Sequence, residues 1–201
     1  IAHELFHQWF GDYVTTESWS NLTVNESFAD YSQTLWDEYK YGKDAGDAEN
    51  YNGMQGYLMS GSENKHLVRF HYKDKEDMFD AVSYQKGGRI LHMLRNYVGD
   101  SAFFKSLNNY LVTNKFKSAE AHQLRLAFEE VTGRDLNWFF NQWYFNSGHP
   151  TVDISYQYDD AAGKATVIIK QIQKSGKLFT LPLAIDVYNG TNKTRHNVWV
   201  K

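Results

Sequence analysis

From the first residue to about His149, apolar positions recur mostly at helical spacing, and after Pro150 they alternate or run in short blocks. In "DSAFFKSLNNYLVTN", Phe103, Phe104, Leu107 and Leu111 fall on one helix face behind Asp100, which is placed to cap it. In "KSAEAHQLRLAFEEVTGRDL", Leu124, Phe128 and Val131 share a face and Gly133 stops the pattern. Asp135 then opens a further helix whose apolar side carries Leu136, Phe139, Phe140 and Trp143. These segments predict a packed array of helices with short connections. The polar, Gly-rich stretch from Tyr41 to about Lys75 reads as helix and loop. Beyond Pro150, "TVDISYQYDD", "KATVIIKQIQK", "LFTLPLAIDVYNG" and "NVWVK" read as strands, with turns at "DDAAGK" and at Asn189-Gly190. The pattern therefore predicts a mainly α chain in two parts: a helical region over 1–149, and the start of a small antiparallel β-sandwich over 150–201.

Composition narrows the function classes. Hydrophobic residues make up 42% and aromatic residues 16%, enough to bury a core. Net charge is -3 with no basic stripe, so nucleic-acid binding has no electrostatic support. No apolar run is long enough to span a bilayer. Cysteine is absent, so a metal site must use histidine and carboxylate. Four N-x-[ST] sequons begin at Asn21, Asn25, Asn189 and Asn192, a number near what chance gives.

The chemistry gathers at the start of the chain. His3-Glu4-Leu5-Phe6-His7 is an H-E-x-x-H pattern, which on a helix turns both imidazoles to one side. Glu4 is rotated by about 100° from His3, so it flanks the ion rather than binding it, as a general base for an attacking water should. Eighteen residues separate His7 from Glu26, enough for the chain to turn and lay a second helix beside the first. Two histidines and a glutamate make a three-ligand zinc site with a fourth position open, the catalytic rather than the structural type. Leu5, Trp9 and Phe10 are expected to pack against Phe28 and Leu35 and hold the helices in register. Asp30, four residues after Glu26, is either an acceptor for a ligand imidazole or a solvated helix residue. Asp12, Glu17 and the remaining histidines lack ligand spacing.

"HELFHQWFGDYVT" followed by "W-x-x-L-x-V-N-E-S-F-A" resembles the zinc aminopeptidases of the gluzincin clan, the aminopeptidase N family that also includes leukotriene hydrolase. "SYQKGGRILHMLRNYVGD", "FEEVTGRDLNWFFNQWYFNSGHP" and the strands after Pro150 extend the resemblance over nearly the whole chain. It implies a thermolysin-like helical catalytic region holding one Zn2+ through His3, His7 and Glu26, with Glu4 as base. It implies that Tyr84 donates a hydrogen bond to the tetrahedral intermediate and that peptides are the substrates. Ser27 departs from the glycine usual after the ligand glutamate, a change expected to be tolerated. The Gly-x-Met-Glu-Asn loop that holds a substrate's α-amine in the family would lie upstream of Ile1. The chain is therefore expected to be part of a longer protein, with weakened zinc affinity on its own because His3 sits in a fraying first turn. Two alternatives remain open at this point: a same-scaffold hydrolase acting on another substrate such as an epoxide, and a non-catalytic scaffold for protein binding.

Overall fold

A computed structural model describes residues 1–201. The chain forms two compact units, Ile1–Ser147 and Gly148–Lys201.

The first unit is helical. A short helix α1 (Ala2–Phe6) leads through wide turns to strand β1 (Val14–Thr16). In those turns the amides of Asp12, Tyr13 and Val14 reach back five residues, to the carbonyls of His7, Gln8 and Trp9. This π-type winding carries the chain past His7 without interrupting its backbone bonding. Helix α2 (Thr23–Tyr41) follows and is the axis of the unit. Its first ten residues are all buried, polar ones included. Gly42, with φ +100°, ends it and turns the chain into α3 (Lys43–Met59). A π-helical turn at Val82–Lys86 runs directly into α4 (Gly87–Val98), then α5 (Asp100–Asn114), strand β2 (Lys117–Ala119), α6 (Ala121–Thr132) and α7 (Asn137–Trp143).

The apolar faces expected from spacing are buried in part: Phe104 is 46% exposed, and Leu111 and Val131 are half-buried. Phe103, Leu107 and Tyr110 of α5 and Leu124 and Phe128 of α6 lie in the core, as do Leu136, Phe139, Phe140 and Trp143 around α7. Gly133 stops α6 in the left-handed conformation, at φ +65°. Asp135 accepts the Asn137 amide at 2.8 Å and so helps start α7. Asp100 differs from expectation. Gly99 occupies the cap, and the Asp100 carboxylate instead takes two hydrogen bonds from Arg95, at 2.9 and 2.8 Å. Strands β1 and β2 pair in parallel, Val14 with Lys117 through Thr16 with Ala119.

The second unit holds two antiparallel hairpins. Strands β3 (Val152–Asp159) and β4 (Lys164–Gln171) pair across the "DDAAGK" turn, and β5 (Leu181–Asn189) and β6 (Asn192–Val200) pair across Gly190-Thr191. Gly163 and Gly190 supply the positive φ that tight hairpin turns require. Gln171 joins β4 to the approach to β5, because its side-chain amide both donates to and accepts from the backbone of Phe179.

Candidate metal and catalytic site

Three elements of the first unit build the site: α1, the N-terminal turn of α2, and the π-helical turn before α4. His3 and His7, one helical turn apart, both face α2. His7 closes α1 with helical dihedrals (φ -61°, ψ -18°), so the four-residue spacing acts as it would in mid-helix. His3 Nε2 lies 3.3 Å and His7 Nε2 3.5 Å from the same oxygen, Glu26 Oε2. One ligand atom from each of the three side chains falls within 4.8 Å of the other two.

Two observations test whether these residues fit a metal. First, a tetrahedral zinc with bonds of about 2.0–2.1 Å sets its ligand atoms about 3.3–3.4 Å apart. Both imidazole–carboxylate distances match that spacing. Second, Glu26 Oε2 is buried and has no hydrogen-bond partner. His7 Nδ1 lies 3.0 Å from the Phe10 carbonyl, which can only accept, so Nδ1 carries a proton and Nε2 is left to offer its lone pair. A neutral His7 ring then turns its Nε2 lone pair toward the Glu26 oxygen, an arrangement that is unfavourable until a cation lies between them. The donor set of two imidazoles and one carboxylate suits zinc.

The packing beneath the site differs in part from expectation. Phe10 and Phe28 are buried and stacked, with ring centroids 4.0 Å apart, and Phe10 also stacks on Phe6 and Tyr110. This aromatic column registers α1 against α2. Leu5 and Trp9 do not join it; they are 59% and 45% exposed. The spacing explains why. The histidines claim the face of α1 toward α2, and Leu5 lies on the opposite one. Leu35 is only half-buried, two turns beyond Phe28.

Asp30 pairs with Arg89, whose Nη2 donates to Asp30 Oδ2 at 3.3 Å and to Thr34 at 3.1 Å. Burial raises the Asp30 carboxyl above the ordinary carboxylate range despite the neighbouring Arg89 and His3 charges. The acceptor that orients His7 is a backbone carbonyl, which residue-type spacing does not reveal. Asn25 is a second feature that spacing does not reveal. Its carbonyl oxygen accepts the Thr16 amide at 3.0 Å and its amide donates to Val14 at 3.2 Å. It thereby ties β1 to α2 one residue before Glu26. Asn21 is likewise buried and accepts the Ala121 amide at 3.1 Å. The first two sequons therefore carry structural asparagines.

Tyr84 arrives from the π-helical turn. Its ring stacks on His3, with centroids 5.8 Å apart and planes 10° from parallel. Burial, then the Glu26 carboxylate, then Glu4 hold its phenol above the ordinary tyrosine range. Glu4 is exposed on α1 beside the two histidines. The site thus brings His3, His7 and Glu26 together, with the Tyr84 ring stacked on His3.

The peptidase family M1 domain matches residues 1–143. The chain belongs to peptidase family M1. It is 31% identical over 199 residues to probable aminopeptidase 1 of Sulfurisphaera tokodaii, covering 96% of this chain and 25% of that protein. It is 30% identical to aminopeptidase N of Lactococcus lactis, covering 96% of this chain and 24% of the relative. The crystal structure of the M1 zinc metallopeptidase from Deinococcus radiodurans superposes with a TM-score of 0.64 at 31% identity, over 74% of this chain and 33% of that one. Legionella pneumophila aminopeptidase A shares the fold over 98% of this chain and 22% of its own, with a TM-score of 0.79 at 18% identity. The M1 chain described here therefore spans about a quarter of the length of these curated relatives. These relatives are named aminopeptidases and metallopeptidases, and they give the scaffold and epoxide readings no support. No helix is long and apolar enough to cross a membrane.

Proposed function

We propose that this M1 chain carries the zinc site of an aminopeptidase that releases N-terminal residues from peptides. The single observation that carries the reading is the convergence of His3, His7 and Glu26 at metal-ligand spacing around a buried carboxylate oxygen with no hydrogen-bond partner. His3, His7 and Glu26 would hold one zinc. When bound, it supplies Lewis-acid polarisation of the scissile carbonyl and activation of water.

The chain's own groups do the rest. Glu4 stands beside the two ligands and remains open to solvent, so it takes the proton from the attacking water and returns it to the departing amine. Tyr84 keeps its O–H proton because burial holds its pKa up, and it donates to the carbonyl oxygen as negative charge develops there. Such a donor is worth about 3–4 kcal/mol of transition-state stabilisation. The Phe10–Phe28 column and the Asn25 tie keep the ligands in place while the chemistry proceeds.

The aminopeptidase assignment draws on the relatives. A variant of the Deinococcus radiodurans M1 enzyme, 30% identical, was crystallised with a Tyr-Ser-Ala substrate. The test is hydrolysis by the full-length gene product of aminoacyl amides and of the same amides with acetylated amino groups, each with and without a chelator. Chelator-sensitive cleavage of the free-amine substrates alone is expected. Equal cleavage of the acetylated substrates would replace the exopeptidase reading with an endopeptidase one.

A further inference from the structure

The turn that presents Tyr84 is gripped from two sides. On one side Asp80 Oδ1 accepts the amides of Val82 at 3.0 Å and Ser83 at 3.1 Å. Arg69 donates to the Ser83 hydroxyl at 2.9 Å, and that hydroxyl donates to the Met78 carbonyl at 2.6 Å. On the other side stands Ser27. It is 0% exposed, and its hydroxyl donates to the Ser83 carbonyl at 2.7 Å. A carbonyl can only accept, so the one Ser27 proton is committed there. The Thr23 hydroxyl, 2.6 Å away, must then donate to Ser27. The Ser27–Ser83 bond thus ties the backbone of the turn directly to α2.

The chain positions make this bond consequential. Ser27 directly follows Glu26, and Ser83 directly precedes Tyr84. This hydrogen bond therefore couples the backbone beside the Glu26 carboxylate to the backbone beside the tyrosine. The π-helical winding of Val82–Lys86, with the Lys86 amide reaching back to Ala81 at 2.9 Å, widens the turn and leaves the Ser83 carbonyl to bond outward. Gly87 completes the fit, because a Cβ there would overlap the Ser27 hydroxyl. Gly88 next to it likewise makes room for the Asp30 carboxylate. The two glycines let α4 and its leading turn press against α2 at the level of the site.

We propose that Ser27 is a positioning residue for Tyr84: through the Ser83 carbonyl it sets where the Tyr84 hydroxyl stands relative to the metal ligands. This rests on the peptidase reading, in which Tyr84 acts on the reacting carbonyl. Misplacing a reacting group by about 1 Å costs up to about 100-fold in rate. Loss of one of the several bonds holding the turn is expected to cost about tenfold.

The test is a double-mutant cycle in the full-length gene product, assayed with an aminoacyl amide. S27A is expected to lower kcat about tenfold with KM unchanged. Y84F lowers kcat about 100-fold or more. If Ser27 acts through Tyr84, adding S27A to Y84F changes kcat by no more than about twofold. Zinc affinity, measured by competition with a chromogenic chelator, is expected to be unchanged in S27A. In the zinc-free protein, amide hydrogen exchange over 82–86 is expected to quicken while exchange in α5 is not. T23V, which loosens the same buried pair without releasing the Ser83 carbonyl, is expected to lower the thermal midpoint and leave kcat alone. Should S27A fail to fold, S27C, with nearly the same volume and a weaker donor, enters the same cycle. The proposal is overturned if S27A leaves kcat unchanged, or if it costs the same factor with and without the Tyr84 hydroxyl. A Y84F enzyme of undiminished kcat would instead remove the role of Tyr84 on which the inference rests.

Discussion

Substitution of Glu26 by glutamine separates a metal ligand from an ordinary buried carboxylate, because the two predict opposite signs. In the metal-free protein, Glu26 Oε2 is buried, lacks a hydrogen-bond partner, and faces two imidazole nitrogens at 3.3 and 3.5 Å. Leaving a buried polar group unsatisfied costs about 1–3 kcal/mol, and more when it is charged. E26Q removes the charge and supplies an amide N–H that can donate to the His7 Nε2 lone pair. It should therefore stabilise the metal-free protein by about 1–3 kcal/mol. With zinc the sign reverses. Zinc at 100 times its dissociation constant stabilises the native form by about 2.7 kcal/mol. A variant that binds 100-fold more weakly retains only about 0.4 kcal/mol of that at the same zinc concentration. Thermal midpoints measured with a chelator and with excess zinc, for wild type and E26Q, give the four values needed. Glu26 is not a zinc ligand if E26Q lowers the midpoint of the chelated protein while the zinc-induced increment survives. That result would make Glu26 the structural partner of protonated histidines.

Further predictions concern the supports of the site. F28A should destabilise the protein by about 3–5 kcal/mol in urea denaturation, since Phe28 is buried and stacked on Phe10, and should lower zinc affinity with it. G87A should cost about 1–3 kcal/mol in the same measurement through overlap with Ser27, with a matching fall in kcat. Asp80 would be raised by its burial, but hydrogen bonds from Arg69 and Lys65 outweigh this and hold it below the usual carboxylate range. Its contribution is therefore present above the unfolded value near 3.8 and is lost as pH falls through the lower folded value. D80N should then destabilise by about 2 kcal/mol at pH 7, and the difference from wild type should shrink in denaturation at about pH 3.

The helical faces around α5, α6 and α7 were legible because burial imposes a period on Phe, Leu and Trp that survives in one sequence. The pairing of His3 with His7 was legible for the same reason: four residues return a side chain to the same face. Glu26 was placed by its distance along the chain and by the resemblance of its surroundings. The supports were harder to read. The acceptor that fixes His7 is the backbone of Phe10, which carries no residue-type signal. Leu5 and Trp9 look like core residues by hydrophobicity, yet the histidines already occupy the inward face of α1. Asp30 lies on the correct side of α2, but Arg89, fifty-nine residues away, claims its carboxylate. Asn25 and Ser27 are small polar residues that would pass for surface positions. Only the fold shows that they join α2 to β1 and to the Tyr84 turn.

The central claim is that His3, His7 and Glu26 bind one zinc and leave a coordination position free. The most direct measurement is an anomalous difference map at the zinc edge from crystals grown with equimolar zinc. A single peak is expected within about 2.0–2.2 Å of His3 Nε2, His7 Nε2 and a Glu26 carboxylate oxygen, with the remaining corner open to solvent. A peak elsewhere, or a Glu26 carboxylate turned away from the peak, would contradict it.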